Sequence, residues 1–570
     1  MAAVHTGAPA LAAPAHAHAA PHHDHQPPAA ASTWSSSSGA EHPAENEIAR
    51  SSSHSSHSGE TLTDRDAVDL EKAGHKGGKE GGNGDDGAES KGPAPPKQED
   101  DPFLVTIKGR ESLNPHTWSV AYRWAITGLA GLLVLNATFA SSAPSNLIAS
   151  IITHFDVSQE VGILLISIFV AGYCLGPLLW GPLSERYGRR LVFLLVWIPY
   201  ICFQVGCALA PNIGSLIVFR FLGGCFAAAP LTVSGGVIAD LWDADRRGDA
   251  LAVFALMPFA GPALAPIISG AMEVRGVDWY WIFWTLTLFA GACGLLIVFF
   301  LPETYVPYIL ATEAKRLRNE TGDDRWHAAL EKKNNDGITG TLKRTVLKPF
   351  IMIVEEPMLA VITLYMSLVY GVVYLLFEAI PIVFEGRHGL NPLESGLVFL
   401  ALLTGGSLGV LGYVTYFNRQ YMKIHHAIKP HMVPPEERLK PLMYAAPALA
   451  ISFFWFGWTG AYSHISIWSP ILAVVLLGAC VLYVFLTGFN YIIDCYLWGA
   501  ASALSINTVV RSAFGAGFPL FTTQMYARLG IQGASSLLGG LAIVFIPIPF
   551  VLIKYGKKIR GMSKNAVVLD

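Results

Sequence analysis

From residue 120 onward the chain alternates long apolar runs with short polar breaks. A bilayer hydrocarbon core takes about 20 apolar residues per helix. Runs of that order lie near 124–146, 160–180, 190–210, 214–239, 250–271, 279–301, 358–384, 396–416, 442–460, 467–489, 498–522 and 535–554. The spacing therefore predicts an all-α membrane protein with twelve transmembrane helices. Six runs precede a polar stretch at 302–356 and six follow it. Such a 6+6 repeat predicts two six-helix bundles with a site between them. The expected units are a tail over 1–105, bundles over 106–301 and 357–555, a central loop over 302–356 and a second tail over 556–570.

Composition agrees with that pattern. Only 14% of the residues are charged and 52% are hydrophobic, where a soluble domain carries about 25% charged residues. Residues 1–105 are rich in Ala, Pro, Ser, His and Gly and are expected to be disordered, because they bury too little to offset chain entropy. His22, His23 and His25 lie in this biased tract, whose composition alone does not argue for metal. The seven cysteines fall in or beside apolar runs with no C-x-x-C spacing, and read as small hydrophobes. No metal site and no cofactor are expected. The net charge is −3 and no basic stripe stands out, which argues against a nucleic-acid partner. The N-terminus lacks a basic start before an apolar core, so no secretory signal is expected.

Charge placement adds orientation and candidate chemistry. With the N-terminus cytosolic, the tails and inner loops hold 34 of the 39 basic residues, and the opposite loops hold only Arg275, Arg387 and Arg528. That asymmetry predicts cytosolic N- and C-termini. The two remaining, Arg220 and Arg511, lie inside predicted spans, as does Glu378, with Asp494 at the edge of one. A charge there costs at least about 2.5 kcal/mol by insertion scales, so it is expected to face a cavity or a partner.

Three stretches carry more. "GPLSERYGRR", 181–190, joins spans two and three, with Gly181 and Gly188 suited to tight turns around Glu185, Arg186, Arg189 and Arg190. "FRFLGGCFAAAP", 219–230, places Arg220 in span four. "MPFAGPALAPIISG", 257–270, loads span five with Pro258, Gly261, Pro262, Pro266 and Gly270. Small residues let helices approach closely, and proline is tolerated in a span where neighbours satisfy the freed carbonyls.

The first stretch resembles the loop 2–3 signature of the major facilitator superfamily, G-x-x-x-D-R-x-G-R-R, with Glu185 where Asp is usual. The resemblance implies a gate latch in which the acid faces the start of span eleven and Arg189 pairs with Asp240. Arg220 resembles the arginine that the family links to proton coupling; the alternative is a structural arginine satisfying backbone carbonyls. Span five resembles the antiporter motif G-x-x-x-G-P-x-x-G-G, with Ala265 and Pro266 replacing a Gly-Gly pair. "NPHTWSVAYRW", "LPETYVPYIL", "LVYGVVYLLFEAIPIVF" and "GFNYIIDCYLWGAASALSINTVVRSAFGAGFPLF" are similar to the fungal twelve-span drug:proton antiporters, their polyamine and multidrug-resistance branch above all.

In span seven, Tyr370, Tyr374, Phe377 and Glu378 share roughly one helical face, with Tyr365 further back. An aromatic face with one carboxylate suits a cationic or amphipathic substrate; packing aromatics are the alternative. Asn490, Tyr491 and Asp494 form a second polar group, with which or with Glu378 Arg511 could pair. Asn136 and Tyr173 are either cavity residues or helix–helix hydrogen-bonding groups. The expected function is export of small organic compounds driven by the proton gradient, with Arg220, Glu378 and Asp494 as coupling residues. Drugs, toxins, or a self-made metabolite such as a glycolipid or organic acid are the expected substrates; polyamines are the narrower alternative, and a transporter-like nutrient sensor the alternative of another class. No hydrolase, metalloprotease or P-loop motif is present, which argues against an enzyme. A monomer in the plasma membrane is expected, with the vacuolar membrane as the alternative.

Overall fold

The computed structural model describes residues 101–108, 110–333, 338–428, 433–497, 499–563 and 566. The tail expected over 1–105, including His22, His23 and His25, lies outside them up to residue 100.

Eleven helices among the described residues are long and apolar enough to cross a membrane. We label ten of them α1 (Val120–Phe155), α2 (Gln159–Tyr187), α3 (Arg189–Ala208), α4 (Ile213–Leu241), α5 (Arg246–Val274), α6 (Tyr280–Phe300), α7 (Pro357–Phe384), α8 (Pro392–Ile428), α9 (Pro435–Gly460) and α10 (Trp468–Cys495). The eleventh, Ala500–Gly561, has 62 residues, about three times the length a bilayer needs. It reverses at Gly530, whose φ of 69° and ψ of 174° only glycine adopts readily. The Tyr526 hydroxyl consequently reaches Ser535 Oγ at 3.4 Å. Nine positions along a straight helix would put these side chains on opposite faces. Residues 500–529 are α11 and residues 531–561 are α12, completing twelve spans.

Within the first half α1 packs on α5, α3 on α4 and α6, and α2 on α4; within the second, α7 packs on α11, α8 on α10 and α9 on α10 and α12. The halves meet along two seams, α5 with α8 and α2 with α11. Outward positions such as Leu195, Leu288, Phe299 and Val544 are more than half exposed. These helices are apolar all round, as lipid-embedded helices are.

The central stretch keeps its bounds but carries helices of its own, and the tail gives up its last residues. The stretch 302–356 contains helices Val306–Thr321, Ala329–Lys333 and Ile338–Glu355. Residues 103–105, assigned from sequence to the tail, dock on it. Val105 N donates to His327 O at 2.9 Å, His327 N donates to Phe103 O at 3.0 Å, and the Phe103 and Trp326 rings meet edge-on at 5.6 Å. One buried valine and one aromatic ring give this short segment the apolar surface that the composition of the tail as a whole lacks.

Candidate functional site

At the junction of the halves, the aromatic face of α7 turns inward. The Tyr374 hydroxyl lies 3.0 Å from Ser141 Oγ on α1, and Tyr370 donates to it at 3.4 Å. The Tyr370 and Tyr374 ring centroids are 5.0 Å apart, and Phe377 follows at 5.6 Å. All three are buried. Arg511 on α11 lays its guanidinium over Tyr370 at 4.6 Å, with Phe489 and Phe485 of α10 at 5.4 and 5.5 Å. Tyr370, one ring of the aromatic face expected to receive a cationic or amphipathic substrate, thus already faces a cation of the protein itself. Tyr365 faces away, stacked on Phe545 at 5.4 Å. Glu378 is partly buried, and among the described residues it makes no ion pair or hydrogen bond.

Arg220 is fully buried in α4. Its Nη1 and Nη2 donate to Ala140 O at 2.8 Å and Ser141 O at 3.0 Å, and its Nε to Leu165 O at 3.0 Å. Ala140 and Ser141 belong to the last turn of the helix Val120–Ser142, whose carbonyls lack partners within that helix. The guanidinium therefore caps a helix C-terminus and sits on the negative end of its dipole. Phe169 covers its other side at 4.2 Å. This is the backbone-satisfying arrangement; no carboxylate contacts Arg220 among the described residues.

Of the expected cavity residues, Asn136, Tyr173 and Tyr491 join helices and Asn490 bonds within its own. Asn136 accepts from the Tyr200 hydroxyl at 3.0 Å, Tyr173 donates to Ala137 O at 2.8 Å, and Asn490 bonds its own helix at Leu486 O. The Tyr491 hydroxyl meets Met358 Sδ of α7 at 2.9 Å. Arg511 pairs with neither acid offered to it from sequence. Asp494 accepts from Arg438 Nε at 2.9 Å, because the start of α9 lies beside the end of α10. Tyr421 covers the Arg438 guanidinium at 3.5 Å.

The loop between α2 and α3 forms a second cluster. Arg189 Nε donates to Asp240 Oδ2 at 3.3 Å and its Nη1 to Ser184 Oγ at 2.6 Å. Ser184 in turn donates to Gly181 O at 2.7 Å. The Tyr305 ring lies 4.7 Å from the guanidinium, and Thr304 donates to Asp240 at 3.3 Å. Glu303, which sequence reasoning did not single out, accepts from the backbone N–H groups of Arg189 at 2.9 Å and Arg190 at 3.1 Å. A carboxylate thereby caps the N-terminus of α3, where the helix dipole favours it. Arg190 Nη2 also donates to Val298 O at 3.0 Å. Arg186 lies 5.7 Å from the Tyr187 ring. Glu185, expected to face α11, is exposed and has no ion pair or hydrogen bond among the described residues.

Gly188 holds this corner at φ 86° and ψ 158°, and a Cβ there would collide with the Glu303 carboxylate. Gly188→Ala is expected to lower stability by about 1–3 kcal/mol from backbone strain alone. A reduced apparent Tm of the purified protein would register it.

In α5, Gly261 brings α1 close: a Cβ would stand 2.5 Å from Phe139 N. Gly270 sits against Pro392 O of α8. Pro266 presents its carbonyl to Gly396 of α8, where a Cβ would stand 2.6 Å away. Asn146 stitches this seam, donating to Pro266 O at 2.9 Å and Pro392 O at 3.0 Å. Pro258 opens the helix Met257–Val274, and Pro262 lies inside it, buried.

The sequence and the fold have counterparts. The model of the Major Facilitator Superfamily matches residues 129–519. The chain belongs to this superfamily. It is a transporter, not an enzyme. It is 39% identical over 472 residues to the multidrug transporter mdrA of Aspergillus fumigatus, covering 83% of this chain and 77% of that one. It is 38% identical to the ascochitine biosynthesis cluster transporter of Didymella fabae, covering 81% and 89%. The multidrug transporter FLU1 of Candida albicans is 36% identical, with 82% of this chain and 77% of that one covered. The solved proton:xylose symporter XylE shares the fold, with a TM-score of 0.55 at 16% identity over 77% of this chain and 96% of that one.

The facilitator repeat relates Arg438 to Arg189. Arg189 opens α3 and meets Asp240 near the end of α4; Arg438 opens α9 and meets Asp494 at the end of α10. Reading the second half in the register of the first would have found the pair. Ser141, Phe485 and Phe489 carried no such signal, since serine and phenylalanine are ordinary in apolar spans.

Proposed function

We propose that the chain exports small organic compounds, such as drugs, toxins or a secondary metabolite made by the cell, in exchange for protons, and that Glu378 carries the proton. Glu378 is the observation that carries this reading. It is an acid within a span, two turns along α7 from Tyr370, without a basic partner among the described residues. Such a group exchanges a proton at less electrostatic cost than an acid locked in an ion pair, as Asp494 is. The relatives named as multidrug and cluster transporters support the outward direction. In this reading the Arg189–Asp240 and Arg438–Asp494 pairs hold the closed form of each half at the basic face. The chain works as a monomer in the plasma membrane with both termini cytosolic.

Expression in drug-sensitive yeast, scored on a toxin panel, identifies a transported compound. In vesicles loaded with that compound, an imposed pH gradient is expected to drive flux through the wild-type protein. With Glu378→Gln, gradient-driven flux is expected to fall to the level of protein-free vesicles, while exchange of compound for compound persists. Undiminished coupling would remove Glu378 from the role.

A further inference from the structure

Arg220 and Arg511 are both arginines inside spans, but only one of them is satisfied. Arg220 spends three nitrogens on three backbone carbonyls. Arg511 is 8% exposed, and among the described residues it makes no hydrogen bond or ion pair; its Nε is sealed from solvent without a partner. Ring faces surround it: Tyr370 from α7, and Phe485 and Phe489 from α10. Neither candidate acid neutralises it, since Asp494 is taken by Arg438 and Glu378 makes no ion pair.

A guanidinium does not shed its proton inside a protein, and a buried charge without a counter-ion is costly. Aromatic faces recover part of that cost. They leave the planar fork of N–H donors unfilled, and that fork matches the two oxygens of a carboxylate. The surrounding walls are aromatic, so the complementary molecule joins a carboxylate to an apolar ring system.

We propose that the site between the two halves binds organic anions, with Arg511 as the bidentate anchor for a carboxylate and Tyr370, Phe485 and Phe489 as the apolar wall. This rests on the reading of the chain as an exporter and specifies its substrate class. A polyamine would bring like charge against Arg511 and is disfavoured.

The test uses three probes on one ring: 2-naphthoate, 2-naphthylmethylammonium and uncharged 2-naphthalenemethanol. Equilibrium binding to the purified full-length protein at one pH, without any gradient, keeps the result separate from proton coupling. The fork should make 2-naphthoate bind at least about tenfold more tightly than either other probe. In Arg511→Gln the three affinities should converge to within about twofold, the loss of one charge-assisted contact accounting for the difference. Arg511→Lys should keep part of the preference, which shows that the site remains folded. Equal binding of the three, tighter ammonium binding, no saturable naphthoate binding, or a carboxylate preference that survives Arg511→Gln would overturn the proposal. Should flux in vesicles prove independent of protons while the naphthoate preference holds, the coupling reading fails and the anion site stands.

Discussion

Arg220→Leu is expected to destabilise the protein by about 2–4 kcal/mol, seen as a lower apparent Tm and poorer recovery of monodisperse protein. Three carbonyls lose a donor, and two of them, Ala140 O and Ser141 O, lie in the last turn of a helix. Each buried acceptor left unsatisfied costs about 1–3 kcal/mol. The relief of no longer burying a cation offsets part of that sum. Arg220→Lys keeps the charge but has one nitrogen where three reached separate oxygens, so it should fall between wild type and Arg220→Leu. Because Ser141 also meets Tyr374 through its side chain, displacement of this turn should reach α7 and impair transport. If Arg220→Leu kept wild-type stability and lost proton coupling alone, the guanidinium would be a coupling element and not a brace.

Gly396→Leu is expected to abolish transport while leaving each half folded. At Gly396 the backbones of α5 and α8 are in direct contact: a Cβ would stand 2.6 Å from Pro266 O and 3.0 Å from Ile267 Cα. Backbone atoms do not move aside as a flexible side chain does, so a leucine must hold the two halves apart at this level. The stability cost should stay near that of ordinary overpacking, about 1–3 kcal/mol, because the core of each half is built from other contacts. Flux in vesicles, set beside thermal unfolding, separates the two effects. Gly291→Leu on α6, where no atom lies within 4 Å of a Cβ, is the control and should transport normally. Wild-type flux in Gly396→Leu would mean that the seam need not close during the cycle.

Arg220 and the α5 side of the Gly396 contact were marked by the sequence, which could not interpret them, whereas Gly396 itself was not marked. Arg220 stood out as a charge in an apolar run, and from that position coupling was the expected role and bracing the alternative. The stretch at 257–270 stood out by its glycines and prolines, and its seam with α8 was invisible because Gly396 and Pro392 lie more than 120 residues further on.

Span number, span position and the 6+6 grouping were legible in the sequence because bilayer crossing is a local property. A run of some 20 apolar residues declares itself without reference to the rest of the chain. A break between the runs 498–522 and 535–554 was legible in the same way, while its place at Gly530 came from the structure. Arg189 and Asp240, 51 residues apart, were matched only through the resemblance to the facilitator loop signature.

What only the tertiary structure decided was the partner of each polar group. Helices that are apolar all round carry little pattern to say which face turns inward. Ser141 meets Tyr374 across 233 residues, and Arg438 meets Asp494 across 56. These pairings depend on how each helix is rotated about its axis and which neighbour it packs against. The same packing gave Arg220 three carbonyls and left Arg511 beside rings with no hydrogen-bond partner among the described residues. In the sequence the two were equivalent charges within spans; in the folded protein one braces a helix end and the other faces the junction of the two halves with its donors free.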